Sequence, residues 1–327
     1  MDPQTIQTIY KYVIILLYSY FATLWFIPYV IAKSKKYGYM TIDQYKKNKK
    51  KIPLMGGIAM FIGILVALSL SEILLDPLSL GNLFIFYFVV IVYGLYGLLD
   101  DIFKFKTRYD KILATLVLTI PIASLIPDAT VHLFGYAMEL NGFYSLLLVP
   151  VFVMFVANAI NLHAGYNGLT TGLELIILVT IVIKSYLNNG LESLLFILPV
   201  LGAVIAFLPS VWYPAKVLPG NIGDFLVGSV IGGVLIINNL TRFGIFILIP
   251  HIINFLMDTY TILIRRIPDV KFGKVADDKT IIAPPSMKYK SLKFLVVSWF
   301  KLTEKQAVLV LYAFTALFCV FGLIIFK

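Results

Sequence analysis

Two adjacent acidic residues, Asp100 and Asp101, follow a long apolar run. They begin the first group of residues whose side chains could take part in catalysis or metal binding. Adjacent carboxylates repel each other, so they are most useful with a cation close by. Carboxylate oxygens suit Mg²⁺, which holds substrate phosphates through a few carboxylates and waters. The basic residues that could meet the same phosphates are Lys104, Lys106, Arg108 and Lys111. The pattern indicates metal-assisted phosphate chemistry, with a polar helix end and its loop charges as the alternative.

Amide side chains form a second group. Asn158 and Asn161 are three residues apart and share one face of a predicted helix. Gly165 and Asn167 follow in a predicted tight turn, where glycine permits a positive φ and a close approach of the backbone to a ligand. An amide-rich turn at the start of a helix suits a phosphate or the edge of a nucleobase. A simple connection between two helices is the alternative.

A third group contains Lys216, Asn221 and Asp224 and leads into another predicted helix. Asn221 and Asp224 are again three residues apart, so both can face one ligand. Asn and Asp also favour capping positions, and a helix cap and a ligand site are therefore both open here. Lys271 and Lys274 lie in the long polar stretch 265–305 and could contact the same phosphates.

The elements that carry these groups are predicted to be membrane-spanning helices. The chain is 60% hydrophobic and only 13% charged, whereas an average soluble domain is about a quarter charged. Such a chain could not cover a soluble surface, and its single cysteine excludes a disulfide framework. Segments of about 20 apolar residues can cross a bilayer. Ten segments qualify: 8–32, 54–75, 80–99, 111–127, 143–163, 168–187, 190–209, 223–240, 243–264 and 306–326. We therefore expect an all-α polytopic membrane protein, with residues 1–327 as one transmembrane domain.

The basic residues predict the orientation. All but four of the 27 Lys and Arg residues fall on alternate loops, the exceptions being Lys11, Lys184, Arg242 and Lys327. Basic loops collect on the cytoplasmic side, which accounts for the net charge of +10 without nucleic acid. The predicted cytoplasmic loops are 33–53, 100–110, 210–222 and 265–305. Both termini are then on the outer side of the cell membrane, and the three polar groups lie together at its cytoplasmic face.

In this order, the three groups resemble the polyprenyl-phosphate N-acetylhexosamine-1-phosphate transferase superfamily. That superfamily includes the dolichyl-phosphate UDP-GlcNAc transferases, the WecA-type enzymes and MraY, and its members have ten transmembrane helices. Leu98-Leu-Asp100-Asp101 resembles its paired-Asp motif, and Lys51-Ile-Pro53-Leu-Met-Gly56-Gly57 resembles a Pro-Thr-Met-Gly-Gly segment of MraY. The run from Asn158 to Leu169 is very similar to the dolichol-type motif, and Trp212-Tyr-Pro-Ala-Lys216-Val matches the run before the metal-binding Gly-Asp.

The resemblance implies transfer of HexNAc-1-phosphate from a UDP-sugar to a polyprenyl phosphate, with UMP as the second product. GlcNAc-1-phosphate and dolichyl phosphate are favoured, as the first step of lipid-linked glycan assembly for N-glycosylation. A MraY- or WecA-like transferase for a cell wall or surface polysaccharide is the alternative, and a secondary transporter is the opposing class. The polar groups lie at helix ends rather than at the midplane where transporters bind their substrates. The sequence leaves open whether the chain is a monomer or a homodimer among membrane lipids.

The resemblance also implies a role for each residue. Mg²⁺, with Mn²⁺ as the alternative, is expected on Asn161 and Asn221 with help from Asp224. Asp100 and Asp101 would line the reaction centre, by contacting the metal or by taking a residual proton from the lipid phosphate, and Lys111 would stabilise the transferring phosphate. The residues assigned to substrate are Asn158, Gly165, Asn167, Lys216, Lys271 and Lys274.

Three departures from the family pattern concern the metal and the donor. The usual Gly-Asp-Thr reads Gly220-Asn221-Ile222, so a metal-binding carboxylate becomes an amide. The His-rich motif of MraY is absent from the last cytoplasmic loop. The Arg-His-Arg stretch of the eukaryotic enzymes is replaced by a run with Lys271 and Lys274, which lack the bidentate fork of arginine.

Overall fold

Helices dominate the computed structural model, which describes residues 2–105, 108–125, 130–133, 136–139 and 144–327. Within those ranges it gives only the backbone of residues 108–111, 123–124, 130–133, 136–139 and 144–145. The helices are α1 Pro3–Tyr37, α2 Gly57–Leu74, α3 Pro77–Phe103, α4 Arg108–Leu118, α5 Val149–Leu162, α6 Leu169–Asn189, α7 Leu198–Val211, α8 Gly220–Ile237, α9 Thr241–Ile247, α10 Ile249–Thr259, α11 Leu292–Trp299 and α12 Glu304–Ile325. Short 3₁₀ or π turns occupy Ile120–Leu125, Tyr144–Leu148, Leu191–Leu194, Tyr260–Ile264 and Pro285–Met287.

Strands are few and short, and they add to the predicted helical architecture without replacing any of its helices. The described residues contain β1 Met40–Ile42, β2 Lys51–Pro53, β3 Thr130–Leu133, β4 Tyr136–Glu139, β5 Lys274–Val275 and β6 Ile281–Ile282. They form three antiparallel pairs, with Thr41 opposite Ile52, Val131 opposite Met138 and Val275 opposite Ile281. Each pair lies outside the helices, in a connection between two of them.

The predicted apolar segments coincide with helices. In the described part of the chain, six helices are long and apolar enough to cross a membrane: α1, α2, α3, α6, α8 and α12. Residues Thr241–Ile247 and Ile249–Ile264 would make a seventh span, bent by 66° at a break. Three shorter apolar helices cover Ile112–Ile122, Leu146–Leu162 and Leu198–Val211, and they overlap the remaining predicted segments. The chain is thus a polytopic membrane protein with six or seven clear spans, and the count of ten stays a prediction.

The helix ends follow their capping residues. Asp76 accepts hydrogen bonds from the N–H groups of Leu78 and Ser79, and Pro77 takes the first turn of α3, where its missing N–H does no harm. Thr303 and Gln306 form a capping box at the start of α12. Gly38 ends α1 in the left-handed conformation at φ +78°, which glycine adopts without strain. These local signals fix where the spans stop and the polar connections begin.

Helix α8 lies at the centre of the bundle and packs against α2, α3, α5 and α6. In the most apolar 18 residues of α8, 83% of the residues are buried. The corresponding fraction is 28% in α1 and in α12, so these two helices lie at the periphery. Glycines permit the close approach: a Cβ at Gly228 would lie 2.8 Å from Cα of Ala157 on α5. The start of α8, which carries Asn221 and Asp224, is thereby held among the ends of three other helices.

Candidate active site

The paired carboxylates meet the start of α8. Asp101, at the end of α3, accepts hydrogen bonds from the backbone N–H groups of Asn221 at 3.0 Å and Ile222 at 3.2 Å. The first N–H groups of a helix have no partner within it and carry a partial positive charge, so a carboxylate there is stabilised. Gly220 has φ +75°, and a Cβ on it would lie 2.5 Å from Oδ2 of Asp101. Glycine therefore permits both the backbone conformation and the approach.

A chain of hydrogen bonds joins three of the predicted site residues. The amide of Asn161 donates to Oδ1 of Asn221 at 2.8 Å, and the amide of Asn221 donates to Oδ2 of Asp100 at 2.8 Å. Asp100 also accepts from the backbone N–H of Phe105 at 3.1 Å. Both carboxylates are buried, whereas the two amides are partly exposed. The structure thus brings together oxygen-bearing side chains from α3, α5 and α8 at one end of the bundle.

The Pro53–Gly57 segment holds the start of α8 from the other side. Leu218 donates its backbone N–H to the carbonyl of Pro53 at 2.9 Å, and Gly56 returns one to the carbonyl of Leu218 at 2.8 Å. Gly57 donates to the carbonyl of Pro219 at 2.8 Å. A Cβ on Gly57 would lie 2.5 Å from the backbone nitrogen of Gly223, so only glycine fits this contact. The Gly-Gly motif therefore serves backbone packing beside the site.

Asp224 lies beside the cluster but towards α6. Its carboxylate is buried, within interaction distance of the Thr170 hydroxyl and electrostatic range of Asp101. Glu174, on α6, is buried next to it. Sequence reasoning did not single out Glu174, because an acidic residue within the first turns of a helix is ordinary until its burial is known.

Two of the predicted substrate residues donate hydrogen bonds within the protein, and their assignment to substrate stays a prediction. The amide of Asn158 donates to Oγ1 of Thr115 at 3.2 Å and to the carbonyl of Met154 at 2.8 Å, so it faces α4. The amide of Asn167 donates to Asp43 at 3.1 Å, and its backbone N–H donates to Glu304 at 2.7 Å. Lys46 pairs with both of those carboxylates, which makes Asn167 part of a buried charged network rather than an open amide.

The predicted basic residues divide into two sets. Lys216, Lys271 and Lys274 are exposed on the connections before α8 and around β5. The backbone of Lys111 lies in the first turn of α4, while its side chain falls outside the described ones, as does all of Lys106. The structure therefore leaves the assignment of these cations to phosphate as a prediction.

Lys293 is a site residue that sequence reasoning missed. It lies on α11, and its Nζ donates to the carbonyl of Ala164 at 2.7 Å, directly over Gly165. Gly165 has φ +139°, and a side chain there would collide with Lys293. Burial, followed by the nearby Lys290, lowers the pKa of Lys293 from its usual 10.5 to about 8. The available signal was a single lysine within the apolar run Ser291-Leu-Lys-Phe-Leu-Val-Val.

Asn254 and Tyr166 complete the contact between α11 and the turn after α5. Asn254 donates to the carbonyl of Leu162 at 3.2 Å and accepts from the N–H of Leu292 at 3.0 Å. Tyr166 donates its hydroxyl to the carbonyl of Lys293 at 3.2 Å. The turn that carries Gly165 and Asn167 is therefore covered by the last polar connection, as expected for a segment that encloses a ligand.

Comparison with known proteins gives a consistent set of relatives. The sequence model described as glycosyl transferase family 4 matches residues 83–239. A Saccharolobus solfataricus protein, provisionally named UDP-N-acetylglucosamine–dolichyl-phosphate N-acetylglucosaminephosphotransferase, is 28% identical over 318 residues, 94% of this chain and 93% of its own. A Sulfolobus acidocaldarius protein of the same name is 28% identical over 315 residues, again 94% and 93%. The phospho-N-acetylmuramoyl-pentapeptide-transferase of Enterococcus faecalis is 31% identical over 218 residues, 62% of this chain and 67% of its own.

Proposed function

Because the chain belongs to glycosyl transferase family 4, within the polyprenyl-phosphate N-acetylhexosamine-1-phosphate transferase superfamily, we propose that it transfers GlcNAc-1-phosphate from UDP-GlcNAc to dolichyl phosphate. The names of the two archaeal relatives, which align over nearly the whole chain, favour this donor and acceptor. The observation that carries the proposal is the meeting of Asp100, Asp101, Asn161 and Asn221 at one end of the bundle.

The reaction forms one phosphorus–oxygen bond and breaks another. An oxygen of the lipid phosphate attacks the β-phosphorus of the UDP-sugar, and the bond to the bridging oxygen breaks with its electron pair. The products are polyprenyl diphosphate-GlcNAc and UMP. A phosphate monoester is already largely ionised near neutrality, with a second pKa of about 6, so it needs positioning and charge neutralisation more than a strong base.

The donor set fits a hard divalent cation. In the described ranges no three His, Cys, Asp or Glu side chains come together as a metal site, so amide oxygens must complete the set. Asn161 and Asn221 would hold Mg²⁺ beside Asp100 and Asp101, since carboxylate and amide oxygens suit this ion. The predicted help from Asp224 is not included, because its carboxylate lies beside Thr170 and Glu174 of α6. When bound, the ion would neutralise charge on the donor pyrophosphate. Rotating the Asn221 amide would release its bond to Asp100 and turn its oxygen towards the cation.

The remaining roles follow from position. Asp101 holds the start of α8 in place, and Asp100 lies beside Asn221, where it can orient the lipid phosphate or take a residual proton. The turn at Gly165 presents backbone groups under α11, which suits a uracil edge. The exposed Lys216, Lys271 and Lys274 would attract the anionic donor from solution. We assign this face to the cytoplasm, where nucleotide-activated sugars occur.

A second candidate is the transfer of a MurNAc-pentapeptide phosphate, which the name of the Enterococcus faecalis relative suggests. That relative aligns over a smaller part of the chain than the archaeal proteins do. The two candidates share the reaction centre and differ in the donor, so a panel of donors separates them.

The test is a turnover assay with purified protein, dolichyl or undecaprenyl phosphate, Mg²⁺ and a panel of UDP-sugars, with UMP release as the measurement. We expect UDP-GlcNAc to be used with dolichyl phosphate, and excess chelator to stop the reaction. Asp100→Asn should lower turnover by at least about a hundredfold, because it removes a charge from the reaction centre. Asp277→Asn, at a fully exposed carboxylate, is the control. Absence of UMP with every donor and lipid would refute the proposal.

A further inference from the structure

Glu174 and Asp224 are the exceptions among the buried carboxylates of the described chain. Asp101 accepts two backbone N–H groups, Asp43 and Glu304 share Lys46, and Asp258 pairs with Lys290. By contrast, no lysine or arginine side chain that the structure describes pairs with Glu174 or Asp224. Each is at most 3% exposed. Two buried negative charges that face each other without a cation are strongly unfavourable.

Buried oxygens without a hydrogen-bond partner lie on α6 and α8, which pack against each other. Both carboxylate oxygens of Glu174 and Oδ1 of Asp224 lack a hydrogen-bond partner among the described residues. The hydroxyl of Thr171 is fully buried and likewise unpartnered. Thr171 precedes Glu174 by three residues on α6, and residues at this spacing share a helix face. A fifth oxygen, the hydroxyl of Thr170, lies beside Asp224.

The chemistry of the set is that of a hard-cation site. Carboxylate and hydroxyl oxygens, with no nitrogen or sulfur among them, are the ligands that Na⁺, Mg²⁺ and Ca²⁺ prefer. The other ionisable groups near the pair are Asp101 and Tyr312, neither of which brings a positive charge. The hydroxyl of Tyr312 already donates to the carbonyl of Gly168.

We propose that Glu174 and Asp224, with the hydroxyl of Thr171, bind a hard metal cation between α6 and α8. This site neighbours the cluster of Asp100, Asn161 and Asn221 but is built on a different helix pair. The cation joins the start of α6, which follows the Gly165 turn, to the start of α8, which carries Asn221. The proposal is independent of the transfer reaction, because it concerns how two buried charges are neutralised in the folded chain.

Thermal unfolding in detergent tests the site without an activity assay. The background variant is Asn221→Ala, which removes the side chain that links Asn161 to Asp100 in the neighbouring metal cluster. Chelator-treated protein is titrated separately with MgCl₂, CaCl₂ and NaCl, with choline chloride as the control for ionic strength. We expect at least one cation to raise the unfolding temperature by about 5 °C, and Asn221→Ala/Glu174→Gln to lose that shift.

A second variant covers the case in which the double variant fails to fold. In the same background, Thr171→Val keeps both carboxylates and removes one ligand, so the midpoint of the cation titration should rise at least about threefold. A cation-independent unfolding temperature in Asn221→Ala would overturn the proposal and leave a proton or water between the carboxylates. Retention of the full shift after Glu174→Gln would overturn it as well. Failure of the turnover assay would affect neither outcome.

Discussion

At the scale of single residues, Asn221 replaces the family's metal-binding carboxylate. This replacement determines how the cluster of Asp100, Asn161 and Asn221 is stabilised in the absence of a cation. A carboxylate at this position would face Asp100, whereas the amide donates a hydrogen bond to it at 2.8 Å. The amide therefore stabilises the cluster in the absence of metal. An amide oxygen also brings no charge, so it binds a cation more weakly than a carboxylate does.

Asn221→Asp should consequently make stability depend on metal. In chelator we expect a lower unfolding temperature than for the wild type, because Asp100 and the new carboxylate repel each other. Saturating Mg²⁺ should close that gap, and the Mg²⁺ midpoint should fall. Asn158→Asp is the matched control, since its amide faces Thr115 and Met154 rather than a carboxylate. Equal unfolding temperatures of wild type and Asn221→Asp in chelator would exclude this account.

Lys293 carries a prediction about pH. Its pKa is lowered to about 8 in the folded chain, from a usual 10.5, so between these values the unfolded chain binds more protons. The free energy of unfolding should therefore rise with pH over this window, through this group. Wild type should gain stability relative to Lys293→Met between pH 7.5 and about pH 10. Lys301→Met, at an exposed lysine, should track wild type at every pH; an identical pH profile for Lys293→Met would contradict the burial argument.

The residues of the site were only partly predictable. Asp100, Asp101, Asn161 and Asn221 were found from residue type and spacing, and the structure brings them together. The engagement of Asn167 could not be foreseen, because its partners Asp43 and Glu304 are 124 and 137 residues away in sequence. Glu174 and Lys293 were missed for a related reason: their importance comes from burial against distant segments, which no local pattern records.

At the scale of elements, the site depends on how closely α2 approaches the start of α8. The contact has no room for a side chain on Gly57, and three backbone hydrogen bonds between residues 53–57 and 218–219 hold it. Positions of helices were predictable from apolar length, but this contact joins segments more than 150 residues apart. The strands were missed because segments of two to four residues are too short to show a periodicity.

Gly57→Ala should test this contact. A methyl group there would meet the backbone of Gly223, and overpacking of this kind typically costs about 1–3 kcal/mol. We expect a lower unfolding temperature and reduced turnover, since Asn221 would move with α8. Gly81→Ala is the matched control on α3, where a Cβ meets nothing within 4 Å, and it should be neutral or slightly stabilising. Unchanged stability in Gly57→Ala would mean that the helices are not in close contact.

At the scale of the whole molecule, the distribution of charge and the arrangement of helices point to one orientation. Exposed lysines lie on the connections before α8 and around β5, and the peripheral helices α1 and α12 present large apolar side chains outwards, such as Trp25 and Ile325. The number of spans could be predicted only approximately. Three of the ten segments form helices shorter than a bilayer needs, and the ninth is broken by a bend of 66°.

Cysteine labelling should establish the orientation. In a Cys319→Ser background, which removes the single native thiol, Lys279→Cys should resist a membrane-impermeant maleimide applied to intact cells. Asn188→Cys, in the last turn of α6 at the end expected outside, should react readily. Both positions are exposed in the structure, so access is limited by the membrane rather than by packing. Labelling of Lys279→Cys in intact cells would place the site on the opposite face.

The two hydrogen bonds between Asp101 and the start of α8 also constrain the order in which the site can form during synthesis. The N–H groups that donate to Asp101 belong to residues 120 and 121 positions later in the chain. At a translation rate of about 5–20 residues per second, they are synthesised roughly 6–24 s after Asp101. We expect α3 to enter the bilayer during this interval, with Asp101 at its end still hydrated. Nascent chains arrested before Asn221 should therefore leave an Asp101→Cys thiol open to a soluble maleimide that complete chains exclude. The site is thus incomplete when α3 enters the membrane, and it forms only after α8 has been synthesised and has packed against α3.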